Sequence, residues 1–187
     1  MDLLVKQTNI KVKKYRLRRE PGRTFYTFVL WGTPSPFVYV SAGASPDKTK
    51  GLGFLPKAKK SSQGAKKYKG KKKIIGICLG YQQILFCENA NIVQQKRIFH
   101  GHQSSVTVTS NKSIFKRNSK FKVGRYHSLK LKEPFFRENF EITMRCSNTG
   151  IAMGFENRKD NVYGFQFHPD SFLTTNGKIL IKKILSA

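Results

Sequence analysis

Lys73-Ile74-Ile75-Gly76-Ile77-Cys78-Leu79-Gly80-Tyr81-Gln82-Gln83-Ile84-Leu85-Phe86 is the stretch on which the fold turns. Its β-branched opening, Ile74, Ile75 and Ile77, predicts a buried strand. An apolar helical pattern starts directly after it. A cysteine with a glycine two positions to either side marks the change. Glycines there let neighbouring backbone approach closely, so the chain can turn sharply with Cys78 strained and exposed at the sheet's edge. The new helix sets its N-terminus beside the sulfur, which favours a thiolate. Taken alone, the same pattern also fits a small buried cysteine in a strand.

Working outward, 187 residues with 39% hydrophobic and 12% aromatic content predict one folded domain over the whole chain. The charge is the outlier: 36 basic against 10 acidic residues give +26. Such a balance points to nucleic acid or another polyanion as a partner. Against that, 26 of the 36 are lysines scattered along the chain, whereas a reader of nucleic acid concentrates arginine and interleaved aromatics on one element. Nucleic acid is therefore not the expected partner. Cys78, Cys87 and Cys146 are odd in number and lack C-x-x-C spacing, which argues for a reduced setting and against a disulfide scaffold. No apolar run approaches the ~20 residues of a membrane span, so no membrane partner is expected. No secretory leader pattern opens the chain, and a cytoplasmic location is the expectation.

In chain order, residues 1–36 are atypical and hardest to read, with a possible strand at Leu3-Leu4-Val5 and a basic run from Lys11 to Arg19. Thr24–Trp31 and Phe37–Ser41 read as strands. The small-residue turn Ala42-Gly43-Ala44-Ser45 then offers backbone N–H groups to a ligand. Nine lysines between Lys57 and Lys73 read as a solvated loop or helix face. His100 and His102 have no third metal ligand nearby, so no metal site is expected. Ile142–Cys146 and Ile151–Phe155, joined by Asn148-Thr149-Gly150, read as a hairpin. A closing helix spans Gly177–Leu185, with Thr174 or Thr175 as its cap and Leu180, Ile181, Ile184 and Leu185 turned inward.

Val162-Tyr163-Gly164-Phe165-Gln166-Phe167-His168-Pro169-Asp170-Ser171 is the second loaded stretch. Alternate residues of a strand share a face, so His168 and Asp170 point the same way. A carboxylate there can accept the imidazole N–H and stabilise the imidazolium. Cysteine, histidine and carboxylate in this order suit a thiolate nucleophile, its base and the base's orienter.

The segment Gly76-Ile77-Cys78-Leu79-Gly80-Tyr81-Gln82 resembles the G-x-C-L-G-H-Q signature of class I glutamine amidotransferases, and Phe165–Ser171 resembles their Q-F-H-P-E-S signature. Arg125-Tyr126-His127-Ser128-Leu129 and His100-Gly101 narrow the resemblance to the small subunits of anthranilate synthase and aminodeoxychorismate synthase. It runs from about Val38 to the C-terminus. It implies an α/β fold of three layers, flavodoxin-like, with a mostly parallel central sheet. It implies that Cys78 forms a thioester with glutamine, that His168 is base and then acid, and that Asp170 orients it. The Leu79 N–H and one from Gly43, Ala44 or Ser45 would form the oxyanion hole, and Gln82, Ser128 and Leu129 would hold glutamine. Ammonia would pass to a larger chorismate-binding subunit, in a heterodimer or heterotetramer, with no cofactor required. Four departures stand out: Ala42–Ser45 replaces P-G-P-G, Tyr81 replaces His, Asp170 replaces Glu, and residues 1–36 lack the family's N-terminal strand motif. A competing expectation keeps the fold but assigns it to polyanion binding.

Overall fold

The structure is a computed structural model that describes the backbone of residues 12–16, 26–30 and 37–42, and residues 68–187 in full. The possible strand at residues 3–5, the turn at residues 43–45 and the lysine-rich residues 57–67 lie outside the described residues.

Strand β4 (Lys73–Cys78) is the axis. It lies between β3 (Phe37–Ala42) and β11 (Val162–Phe165), parallel to both. Its β-branched side chains alternate between two cores. Ile75 and Ile77 pack with Leu180, Ile181 and Ile184 of the closing helix α2 (Gly177–Leu185), while Ile74 packs with Tyr81, Ile84 and Leu85 of α1 (Leu79–Cys87). The two helices thus cover opposite faces of the sheet, and the expected three layers are present. Lys73 ties the central strand to α2: its ammonium donates to the carbonyl oxygens of Ile184, Leu185 and Ala187 at the helix C-terminus, where the dipole favours a cation.

The other strands are β1 (Val12–Arg16), β2 (Tyr26–Leu30), β5 (Ile92–Gln94), β6 (His102–Val108), β7 (Lys120–Arg125), β8 (Leu129–Leu131), β9 (Glu141–Cys146) and β10 (Ala152–Asn157). The large sheet runs β1-β2-β3-β4-β11-β10-β9-β6-β7, and β5 pairs with β8 apart from it. Parallel pairing is confined, among the described strands, to β3-β4-β11. The sheet is therefore mixed and not mostly parallel. The cause is local: short turns join β9 to β10 and β10 to β11, and a short connection forces an antiparallel return.

Two expectations about ends need correction. Strand β11 stops at Phe165, and residues 166–171 bend and turn. Helix α2 has the expected bounds, but its N-cap is Asn176, in the left-handed region (φ 61°) with no side-chain cap bond. Thr174 is occupied elsewhere. Its hydroxyl donates to the His168 carbonyl at 2.5 Å and accepts from the Gly124 N–H at 2.9 Å.

That bond reveals the curl of the sheet. Strand β7 is four positions from β11 in the sheet order, yet the His168 N–H donates to Gly124 O at 3.0 Å and Thr175 N–H to Lys122 O at 3.0 Å. The far edge of the sheet folds round to hold the segment that follows β11.

Candidate active site

Three parallel strands end together, and strand ends of this kind are where open α/β sheets place ligands. Ala42, the last residue of β3, is the register partner of Cys78, and Phe165, the last of β11, that of Ile77. Residues 166–170 therefore leave the sheet beside the cysteine. Cys78 sits at the N-cap of α1 with φ 51° and ψ −102°, a conformation costing of order 1–3 kcal/mol for a residue with a Cβ. Gly76 makes the turn possible: a Cβ there would lie 2.8 Å from the Gly80 carbonyl carbon and 2.6 Å from Ile84 Cδ1. The first turn of α1 leaves backbone N–H groups without intrahelical partners, including that of Leu79, directly beside the sulfur. The cysteine itself is buried, 4% exposed, where the sequence predicts exposure. It lies between its two neighbouring strands with the Gln166 amide beside its sulfur.

His168 and Asp170 meet as expected, but across a turn and not along a strand. Ser171 N–H donates to His168 O at 3.2 Å and closes that turn. Nδ1 of His168 stands 3.4 Å from Oδ1 of Asp170, long for a charge-assisted bond and consistent with the short aspartate side chain. The Tyr126 ring meets the imidazole edge-on at 5.3 Å, and its hydroxyl lies 3.0 Å from Ser171 Oγ. Gly177 lets the start of α2 press against this turn, because a Cβ there would collide with the Pro169 carbonyl oxygen.

Burial lowers the proton affinity of His168, but hydrogen bonding to Asp170 and the influence of the Cys78 sulfur outweigh it. The imidazole is raised to about 10 and holds its proton at neutral pH. Nε2 is buried and has no hydrogen-bond partner among the described residues. The sulfur is thus near enough to act on the ring while the Nε2 bond itself is unmade. Burial raises Asp170, but the bond to His168 and its charge prevail and the carboxyl is lowered.

The Arg125–Leu129 segment lines the same region. Leu129 O accepts from Gln82 Nε2 at 3.4 Å, which brings two of the expected substrate-holding residues together. Ser128, which precedes Leu129 in the chain, is half-buried. Sequence reasoning missed what lies beneath. Arg125 is wholly buried, stacked 3.5 Å above Phe99, with Nε donating to His127 Nε2 at 3.0 Å and an Nη1–H to Cys146 Sγ at 3.4 Å. No carboxylate of the described residues pairs with it. His127 is therefore neutral: burial first, then the Arg125 charge, lower it to about 3. Gln166, also wholly buried, is the other residue left without a role; its signal was a lone amide in an apolar run.

The pattern of a family described as "Glutamine amidotransferase class-I" matches residues 46–187. The chain is 36% identical over 137 residues to "Anthranilate synthase component 2" of Lactococcus lactis, covering 73% of this chain and 69% of that one. It is 36% identical over 119 residues to "Aminodeoxychorismate synthase component 2" of Klebsiella aerogenes, covering 64% and 63%. Among solved structures, that of a putative GMP synthase subunit from Thermoplasma acidophilum superposes with a TM-score of 0.65 at 22% identity, covering 81% of this chain and 71% of that one, a likeness of fold.

Proposed function

Since the chain belongs to the class I glutamine amidotransferase family, we propose that it takes ammonia from the side-chain amide of glutamine and passes it to a larger chorismate-aminating partner, as the small component of an anthranilate synthase. Cys78 Sγ attacks the amide carbon. The oxyanion is met by the Leu79 N–H and by one from residues 43–45, the next in the chain after Ala42, which pairs with Cys78; each donor is worth about 3–4 kcal/mol of barrier in comparable sites. The His168 imidazolium gives its proton to the departing nitrogen, leaving a γ-glutamyl thioester and ammonia. Water then attacks the thioester while His168 takes a proton from it, glutamate leaves, and the sulfur is restored. Asp170 keeps the imidazole oriented through Nδ1. Gln82, Ser128 and Leu129 hold the substrate.

One observation carries the reading. Cys78 occupies a strained strand-to-helix turn beside His168, which is paired with Asp170 and whose proton affinity the sulfur helps to raise. The partner rests on a second. Phe172, two residues past Asp170, is 91% exposed, and a large apolar side chain left in water beside a site suits an interface. Acid-quenched mass spectrometry on the protein mixed with glutamine and the large component tests the chemistry. A γ-glutamyl group on the Cys78 peptide is expected; its absence under turnover sinks the mechanism.

A further inference from the structure

We infer that Gln166 supports the Cys78 thiolate with a side-chain N–H, and that Gln82 decides which end of the Gln166 amide faces the sulfur. The inference rests on Cys78 being the nucleophile proposed above. Gln166 is 0% exposed in the apolar run from Val162 to Phe167, where an amide needs partners at both ends. The two ends of an amide have nearly the same shape, so orientation must come from the partners. Here it is determined by a chain of bonds ending on a backbone carbonyl. Leu129 O can only accept, so Gln82 turns its NH2 group that way, at 3.4 Å. The same Nε2 then donates to Gln166 Oε1 at 2.9 Å. That leaves Gln166 Nε2 facing Cys78, with N···S at 3.8 Å, within reach of large and polarisable sulfur. The main chain holds the donor in place, because the Gln166 N–H donates to Met153 O at 2.9 Å.

A donor aimed at the sulfur favours its charged form, and the thiolate is the nucleophile. It adds to the helix N-terminus on the other side of Cys78, so the sulfur is approached by dipoles from α1 and from the segment after β11. Gln166 is thus a positioning and charge-stabilising residue for the nucleophile, while Gln82 acts through it.

The test is the rate of Cys78 alkylation by iodoacetamide across pH, read on the Cys78 peptide by mass spectrometry, for the intact wild type, Gln166→Met and Gln82→Met, each with a thermal melt. Gln166→Met fills the space without an N–H. Its rate at pH 7 is expected to fall about tenfold, as loss of one hydrogen bond to a charged group predicts, with the rate–pH curve displaced to the alkaline side. Gln82→Met lets the amide turn over and moves the curve the same way by less. A folded Gln166→Met whose curve overlays the wild type overturns the inference. If that variant does not fold, an unmoved curve in folded Gln82→Met overturns it. Alkylation needs neither glutamine nor partner, so failure here is distinct from failure to find the γ-glutamyl adduct.

Discussion

Replacing His127 with Asn is expected to remove about 2 kcal/mol of acid sensitivity between pH 7.5 and pH 5. His127 is 3% exposed, with Nε2 accepting from the Arg125 guanidinium and Nδ1 meeting Leu129 O at 2.8 Å. Burial and the Arg125 charge lower its pKa to about 3 in the fold, against 6.5 when unfolded. Below pH 6.5 the unfolded chain takes up a proton that the folded chain refuses. Stability therefore falls as pH falls, until about pH 3. At roughly 1.4 kcal/mol per pH unit, the 1.5 units from 6.5 to 5 remove about 2 kcal/mol, a sizeable part of a typical total of 5–15 kcal/mol. Asp170 adds its own acid loss only below this window, because its lowered carboxyl starts from the ordinary carboxylate range. His168, whose raised pKa works the other way, is common to both proteins and cancels. Asparagine keeps an N–H for Leu129 O and does not titrate. Urea unfolding at the two pH values measures the difference. If wild type and His127→Asn lose the same stability on going to pH 5, the neutral buried histidine is wrong.

Asp170→Asn takes away the charge that, with the Cys78 sulfur, holds the His168 proton, so the alkaline limit of ammonia release is expected to move down from near 10, with kcat at least tenfold lower; a pH–rate profile reads it. Gly177→Ala drives a methyl group into the Pro169 carbonyl and is expected to cost about 1–3 kcal/mol in thermal melts while misplacing the His168–Asp170 turn. Phe172→Asp is expected to leave the melting curve within about 0.5 kcal/mol of wild type, yet to weaken the large component's binding at least tenfold in calorimetry.

The sequence made the centre of this molecule legible because its signals are local. Ile74, Ile75 and Ile77 leading to Gly76, Cys78 and Gly80 announce a strand, a turn and a helix within fourteen residues, and the observed β4 and α1 follow that reading. Helix α2 was equally plain, since Leu180, Ile181 and Ile184 recur at helical spacing among exposed lysines. What failed needed contacts between distant segments. Thr174 looked like a cap because the return of Gly124 to His168 cannot be seen in a single stretch of chain. Arg125 was legible only as part of a polar motif, because its stacking on Phe99 and its bond to His127 are tertiary. Strand β1 was hidden in a basic run, where Lys13, Lys14 and Arg16 mask any alternation. The mixed sheet departs from the mostly parallel one implied by resemblance because β9, β10 and β11 follow each other through short turns.

The most direct test of the central claim is glutamine-dependent ammonia release by the wild type and by Cys78→Ala, each measured with and without the large component. The wild type with its partner is expected to release ammonia at least a thousandfold faster than Cys78→Ala with the same partner, the scale on which loss of an essential nucleophile is felt. Equal rates from the two partnered proteins would contradict the account.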